Sequence, residues 1–240
     1  MSRARPVVAI DGPAGAGKTT VTQQVAARLG YSLVDTGALY RAVALAARRR
    51  GIAWDDEPGM SQVASALAEQ RLLGFEEDGA APPRVLLEGE DVSSAIRDPD
   101  IGRGASIVSA LPAVRAALLA MQRDAGRQGG VVLEGRDIGT TVFPDAEAKF
   151  YLTASVDVRV ERRASELQAR GLPANLDEVR REVMERDERD SNRAVAPLSR
   201  AVDAELVDSS AIGIEQVVER IVFKVREVEA SLAERARRAP

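Results

Sequence analysis

Apolar positions follow two rhythms that alternate along the chain. Val7, Val8, Ala9 and Ile10 form a compact, mostly β-branched run suited to a parallel strand buried on both faces. A glycine-rich segment follows. From Lys18 onward Val21, Val25 and Leu29 recur four residues apart, predicting a helix that Gly30 closes. The unit then repeats as a strand over 32–34, a polar turn at Asp35, Thr36 and Gly37, and a helix over 38–50 closed by Gly51. A further helix is expected over 61–72. Between 75 and 97 the texture changes to short β-like pieces punctuated by Gly and Pro, 85–87 among them, which reads as a small inserted subdomain.

Helical spacing returns over 98–127, broken at Pro112. Residues 131–134 and 150–153 read as two more buried strands, the second leading into an arginine-rich helix from Val156, and 205–208 as a last strand. The closing helix, about 214–234, carries Ile214, Val217, Val218, Ile221, Val222, Val225 and Val228 on one side, and 234–240 reads as a frayed, solvated end. Strands alternating with helices predict an α/β fold with a parallel central sheet and helices on both faces.

Composition narrows the chemistry. The length of 240 residues suits one core domain with insertions, and with aromatics at 3% the interior must be filled by Ala, Val and Leu. There is no cysteine and no histidine, so disulfides, thiolate zinc sites, thiol nucleophiles and imidazole bases are excluded. A net charge of −4 argues against nucleic acid or an anionic membrane as partner, and no stretch reaches the ~20 apolar residues of a membrane span, so a cytoplasmic protein is expected. Among 33 basic residues only Lys18, Lys149 and Lys224 are lysine, which makes a lone arginine a weak marker and Lys18 a strong one.

Gly12, Pro13, Ala14, Gly15, Ala16, Gly17, Lys18 and Thr19 satisfy G-x-x-x-x-G-K-[ST] between a predicted strand and a predicted helix, the context that this phosphate-binding loop requires. Its glycines let backbone N–H groups converge on phosphate oxygens. The helix N-terminus adds partial positive charge, Lys18 reaches the β- and γ-phosphates, and the Thr19 hydroxyl is a candidate Mg²⁺ ligand, with Thr20 beside it. Neither other lysine follows an asparagine, so the Asn-Lys-x-Asp guanine reader of GTPases is absent, and motor ATPases need more chain. A small-molecule kinase is the remaining class.

Two segments suggest a second site. Residues 35–41 place a hydroxyl, Thr36, and Arg41 across a helix start, and residues 134–140 put Arg136 and Asp137 just after a strand, both at the sheet edge where open α/β folds bind ligands. A structural turn with a solvated ion pair is the alternative for either segment alone. Glu134 has two readings, holding a metal-bound water or hydrogen-bonding the phosphate loop.

Together with residues 10–18, 89–93, 96–97, 142–146 and 186–198, these segments resemble the bacterial cytidylate kinases over roughly residues 7–209. The resemblance implies a P-loop NTPase three-layer fold of the nucleoside monophosphate kinase type. Its core would cover about 1–37, 98–155 and 200–240, a monophosphate-binding region with its insertion about 38–97, and an arginine-rich lid about 156–199. It also implies ATP and CMP or dCMP as substrates, Mg²⁺ as cofactor, and a monomer. Thr36, Arg41, Arg136 and Arg193 would hold the CMP phosphate and sugar, and Ser106, Arg115 and Asp137 would face cytosine. Arg186 and Asp190 would contact the sugar side and close over the reaction centre, while Arg159, Arg162 and Arg163 would open the lid segment near ATP. Lys18, Arg136, Arg186 and Arg193 would stabilise the transferring phosphoryl group. The Thr19-Thr20 pair departs from the Gly or Ser that many members carry beside the lysine. Kinases for UMP, AMP or a non-nucleotide alcohol, or a non-catalytic nucleotide sensor, are the competing readings.

Overall fold

The structure, a computed structural model, describes residues 3–78 and 81–238, without the side chains of residues 77, 78, 81 and 82. A five-stranded parallel sheet forms the centre. Its strands are β1 (Val7–Asp11), β2 (Ser32–Asp35), β6 (Val131–Gly135), β7 (Ala148–Thr153) and β8 (Glu205–Asp208), in the order β2-β6-β1-β7-β8. Val8 stands level with Val132 and with Ala148, so the C-terminal ends of the three central strands align and bring Asp11 beside Gly135 and Tyr151.

The pleat sends alternate side chains to opposite faces. Val8 and Ile10 pack with Val21 and Val25 of helix α1 (Lys18–Leu29) and with Val217, Val218 and Ile221 of helix α8 (Ile214–Arg238). Val7 and Ala9 face the other way, toward Leu133, Val142 and Phe143. Ile214, predicted for the buried stripe of α8, is 45% exposed because it starts the helix before the stripe meets the sheet. The predicted fraying of 234–240 is not seen over residues 234–238, which stay helical; Ala239 and Pro240 lie outside the described residues.

A second apolar cluster surrounds helix α2 (Thr36–Arg49), whose Ala42, Val43, Ala44, Ala46 and Ala47 are almost fully buried. Around it pack helix α3 (Glu57–Glu69), the antiparallel β3 (Leu73–Asp78), β4 (Ala81–Leu87) and β5 (Glu90–Asp91), and helices α4 (Pro99–Val108) and α5 (Pro112–Gly126). The apolar packing expected for 38–97 therefore continues through α4 and α5. Gly104 lets α4 cross Trp54 closely: a Cβ there would lie 2.4 Å from the indole. Helix α2 begins two residues earlier than predicted, because Asp35 caps it by accepting from the Ala38 N–H at 3.1 Å, so the expected turn is its first turn. Helix α3 likewise begins and ends ahead of the predicted 61–72, with Asp56 as cap and proline in its first turn.

Helices α6 (Val156–Ala169) and α7 (Leu176–Ser191) form a small unit of their own around Val160, Leu167, Val179 and Val183. Among the described residues no single helix is long and apolar enough to cross a membrane.

Candidate functional site

The phosphate loop turns off β1 through residues of unusual backbone. Gly12 has φ +153, and a Cβ at that position would lie 1.9 Å from the Leu152 carbonyl oxygen, so the loop can pass β7 only with glycine. Gly15 and Gly17 also lie at positive φ, and Gly17 is the N-cap of α1. Lys18 is buried, and its ammonium donates to the carbonyls of Gly12 and Pro13, each at 2.8 Å. Burial first, and Arg136 next to it second, push its pKa well below the ordinary lysine value.

A cleft of about 900 Å³ runs from this loop to α4 and α5. Ala14 to Thr20 line one end, Ser106, Arg115 and Asp137 line the other, and Thr36, Arg41, Arg136, Arg186, Asp190 and Arg193 lie between. Eleven cationic side chains against seven carboxylates line its wall, so a protein of net charge −4 concentrates positive charge here. Buried Nε donors of Arg41, Arg186 and Arg193 have no protein acceptor. Arg186 is deprotonated more easily than an ordinary arginine, its pKa brought down to about 10 by burial and by Arg136. An anionic ligand would relieve both conditions.

Three carboxylates at the strand ends organise the floor. Asp11 accepts from the backbone N–H groups of Ile138 and Gly139, each at 2.8 Å, and so ties the end of β1 to the π-helical turn (Ile138–Val142) after β6. Burial nevertheless pushes its pKa up to about 6. Glu134 accepts from Thr19 at 3.0 Å and from Thr22 at 3.4 Å, realising the hydrogen bond to the phosphate loop. Burial, then the nearby Asp35, raise its pKa to about 7. Thr36 donates to the Glu134 carbonyl at 2.8 Å; its proton is committed to joining α2 to β6 and not free for a phosphate. Arg41 pairs with Asp35 at 2.5 Å.

At the far end Arg115 and Asp137 form a buried ion pair, with Arg193 4.0 Å from the other carboxylate oxygen and Arg115 over the Tyr40 ring. Arg115 also donates to the Ser109 carbonyl at 3.2 Å.

Helix α7 reaches several parts of the site from one stretch. Asp190 receives Arg136 at 2.9 Å; burial would raise its pKa, but Arg136, Arg186 and Arg193 outweigh burial and hold it below the usual range. Asp187 receives Arg159 at 2.6 Å, and Arg189 donates to the Ser106 hydroxyl at 3.2 Å.

Of the arginines expected near ATP, Arg162 and Arg163 line the cleft, Arg162 donating to Ala16 and Ser209 and Arg163 pairing with Glu166. Arg159 does not line it. It lies behind the loop, buried, donating to the carbonyls of Ala14 and Ala154, both at 3.1 Å. Gly12 and Pro13 are likewise outside the lining and meet it through the Lys18 ammonium.

Sequence reading missed Asp11, Asp35, Tyr40, Asp187 and Arg189 as parts of the site. An acid closing an otherwise apolar strand, at the edge where such sheets bind ligands, was a usable signal for Asp11 and Asp35. Asp187 and Arg189 sit in a run whose charge hides them.

Residues 8–227 match the sequence profile of the cytidylate kinase family. A cytidylate kinase of Geobacter sp. (strain M21) is 52% identical over 92% of this chain and 93% of its own. One from Chromobacterium violaceum is 49% identical over 94% of this chain and 98% of its own, and one from Pelotomaculum thermopropionicum 47% identical over 92% and 96%. With this similarity running through nearly the whole chain, phosphate loop and charged cleft included, the chain belongs to the cytidylate kinase family.

Proposed function

We propose that this enzyme transfers the γ-phosphoryl group of ATP to the phosphate of CMP or dCMP, giving ADP and the cytidine diphosphate. The observation that carries this reading is the single cleft with a phosphate loop at one end, the Asp137–Arg115–Ser106 group at the other and an excess of cations between. ATP phosphates take the loop and the α1 N-terminus. The attacking oxygen belongs to a phosphate already anionic near neutral pH, so the absence of histidine leaves no gap in the mechanism. That oxygen bonds to the γ-phosphorus as the bond to the bridging oxygen of ADP breaks. Lys18, Arg136, Arg186 and Arg193 neutralise charge on the group in transit, an arginine in this position contributing ~10³ or more in rate.

A magnesium ion suits the donor set at the loop, where the Thr19 hydroxyl faces the buried Glu134 carboxylate and Asp35 lies nearby. Thr19 would hold it directly, Glu134 and Asp35 through water, and it would supply charge neutralisation on the β- and γ-phosphates. At the acceptor end Asp137 accepts from the cytosine amino group, while Arg115 and Ser106 donate to the ring acceptors. Arg41 and Arg193 take the CMP phosphate and Asp190 the sugar side; Arg162 and Arg163 border ATP. The enzyme is read as a cytoplasmic monomer without nucleic-acid or membrane partners, which sedimentation and cell fractionation check.

The test is ADP release, coupled to an indicator reaction, with CMP, dCMP, UMP or AMP as acceptor. CMP and dCMP should be the fastest. Rates equal to the no-acceptor blank for all four would remove the kinase reading, and a faster rate with AMP would remove the cytosine assignment.

A further inference from the structure

Serine is an ambivalent reader of a base, because its hydroxyl donates or accepts according to what it meets. At Ser106 the fold biases that choice. The hydroxyl oxygen receives the Nε–H of Arg189 at 3.2 Å, and a guanidinium has no lone pair to offer in return, so Ser106 is the acceptor in this bond. No described residue accepts the Ser106 proton, and Ser106 lines the cleft together with Asp137 and Arg115. Glu185, one turn earlier on α7, stands 4.0 Å from the Arg189 guanidinium. Among the described residues this is the only side-chain hydrogen bond between α7 and α4.

We propose that Arg189 is a specificity-determining positioning residue: by occupying one lone pair of Ser106 and leaving its proton without a protein acceptor, it favours that hydroxyl as a donor toward the base. With Asp137 fixed as an acceptor by Arg115, the pair presents one donor and one acceptor. Cytosine matches this with its N3 acceptor and N4 amino donor, whereas uracil reverses both with N3–H and O4. Without Arg189 the serine rotates to accept from uracil N3–H and half of the discrimination is lost. With Arg189 in place, accepting from uracil strands the serine proton, and the guanidinium charge also makes the oxygen a poorer acceptor. Arg189 acts through Ser106 and need not touch the reacting atoms.

This inference rests on the CMP kinase reading, and the experiment separates the two. Steady-state kcat/KM is measured with CMP and with UMP for wild type, Arg189→Met, Arg189→Lys, Ser106→Ala and the Ser106→Ala/Arg189→Met double variant, with thermal melts to confirm folding. Arg189→Met should lower the CMP-to-UMP ratio about tenfold, the size of one hydrogen-bond contribution, mainly through a lower KM for UMP, with KM for ATP unchanged. Arg189→Lys, which keeps a cationic donor, should retain more of the ratio, and in the Ser106→Ala background Arg189→Met should change it no further. Equal losses with CMP and UMP, or an undiminished effect of Arg189→Met when Ser106 is alanine, would overturn the proposal. Wild type without CMP turnover would instead overturn the parent reading, and the inference with it.

Discussion

Replacing Asp137 by asparagine changes one charge in the most enclosed part of the cleft and is expected to alter stability and base choice together. Both Asp137 and Arg115 have side chains only 7% exposed, and Arg193 stands 4.0 Å from the other carboxylate oxygen. Deleting one partner of a buried pair costs about 3–5 kcal/mol, because the surviving charge loses its counter-ion. Asparagine keeps an oxygen for Arg115, so the loss should be smaller, about 2–3 kcal/mol, or roughly 5–10 °C in melting temperature for a chain of this length. Arg115 takes the amide oxygen, which leaves the amide nitrogen in the Oδ1 position. CMP then loses a charge-assisted bond of about 1.5–3 kcal/mol, while UMP gains a neutral one of about 1 kcal/mol at O4. The sum predicts a swing of roughly 10² to 10³ in the CMP-to-UMP ratio of kcat/KM. The assay is coupled ADP release with both acceptors, beside calorimetry. A folded variant with the wild-type ratio would refute the reasoning, since the carboxylate could not then be reading the amino group.

Lys18→Met should cut kcat/KM by about 10³ or more while leaving the melt near wild type, because it removes charge at the phosphates along with a burial cost; ADP release and calorimetry report the two. Gly12→Ala forces a Cβ against the Leu152 carbonyl, 1.9 Å away, and should cost at least ~2 kcal/mol in urea unfolding. Protonation of two buried carboxylates should add stability to the ligand-free protein as pH falls from 8 to 6, against the opposing cost of charging buried Lys18, whose pKa is lowered. Asp11 and Glu134 titrate in the fold at about 6 and about 7, above their unfolded values, so lowering the pH relieves two buried charges. The contribution of the two carboxylates is on the order of 1–2 kcal/mol by urea unfolding, most of it from Glu134; wild type and Glu134→Gln should therefore differ in their pH profiles, and identical profiles would contradict the assignment.

Much of the fold was legible because parallel strands buried on both faces must be continuous apolar runs. Those at 7–10 and 131–134 stand out against a charged chain. Boundaries failed where a cap, not periodicity, decides: Asp35 looks like a turn residue, yet its side chain starts α2. Helix α7 was not delimited within the arginine-rich stretch of about 156–199, because among its charges only three residues, Val179, Val183 and Asp190, carry its buried side. The phosphate loop is a contiguous motif and announced itself. The acceptor end is assembled from α2, α4, α5, β6 and α7, and spacing alone does not reveal that Arg115 meets Asp137 or that Arg189 meets Ser106. Partner choice among thirty arginines is a tertiary fact. Thr36 shows the same limit, since its position was foreseen and its commitment to the Glu134 carbonyl was not.

Because Arg186, Asp187, Arg189 and Asp190 point to different places from successive positions of one helix, α7 behaves as a cam with a fixed phase. One residue inserted between 187 and 190 would turn everything on one side of it by about 100° relative to the other. Asp190 would then leave Arg136 while Asp187 kept Arg159, or the reverse. Length should therefore be rigid within this turn of helix. The exposed connection around 170–175, which joins α6 to α7, has no such phase to keep and should accept an added residue or a spectroscopic label.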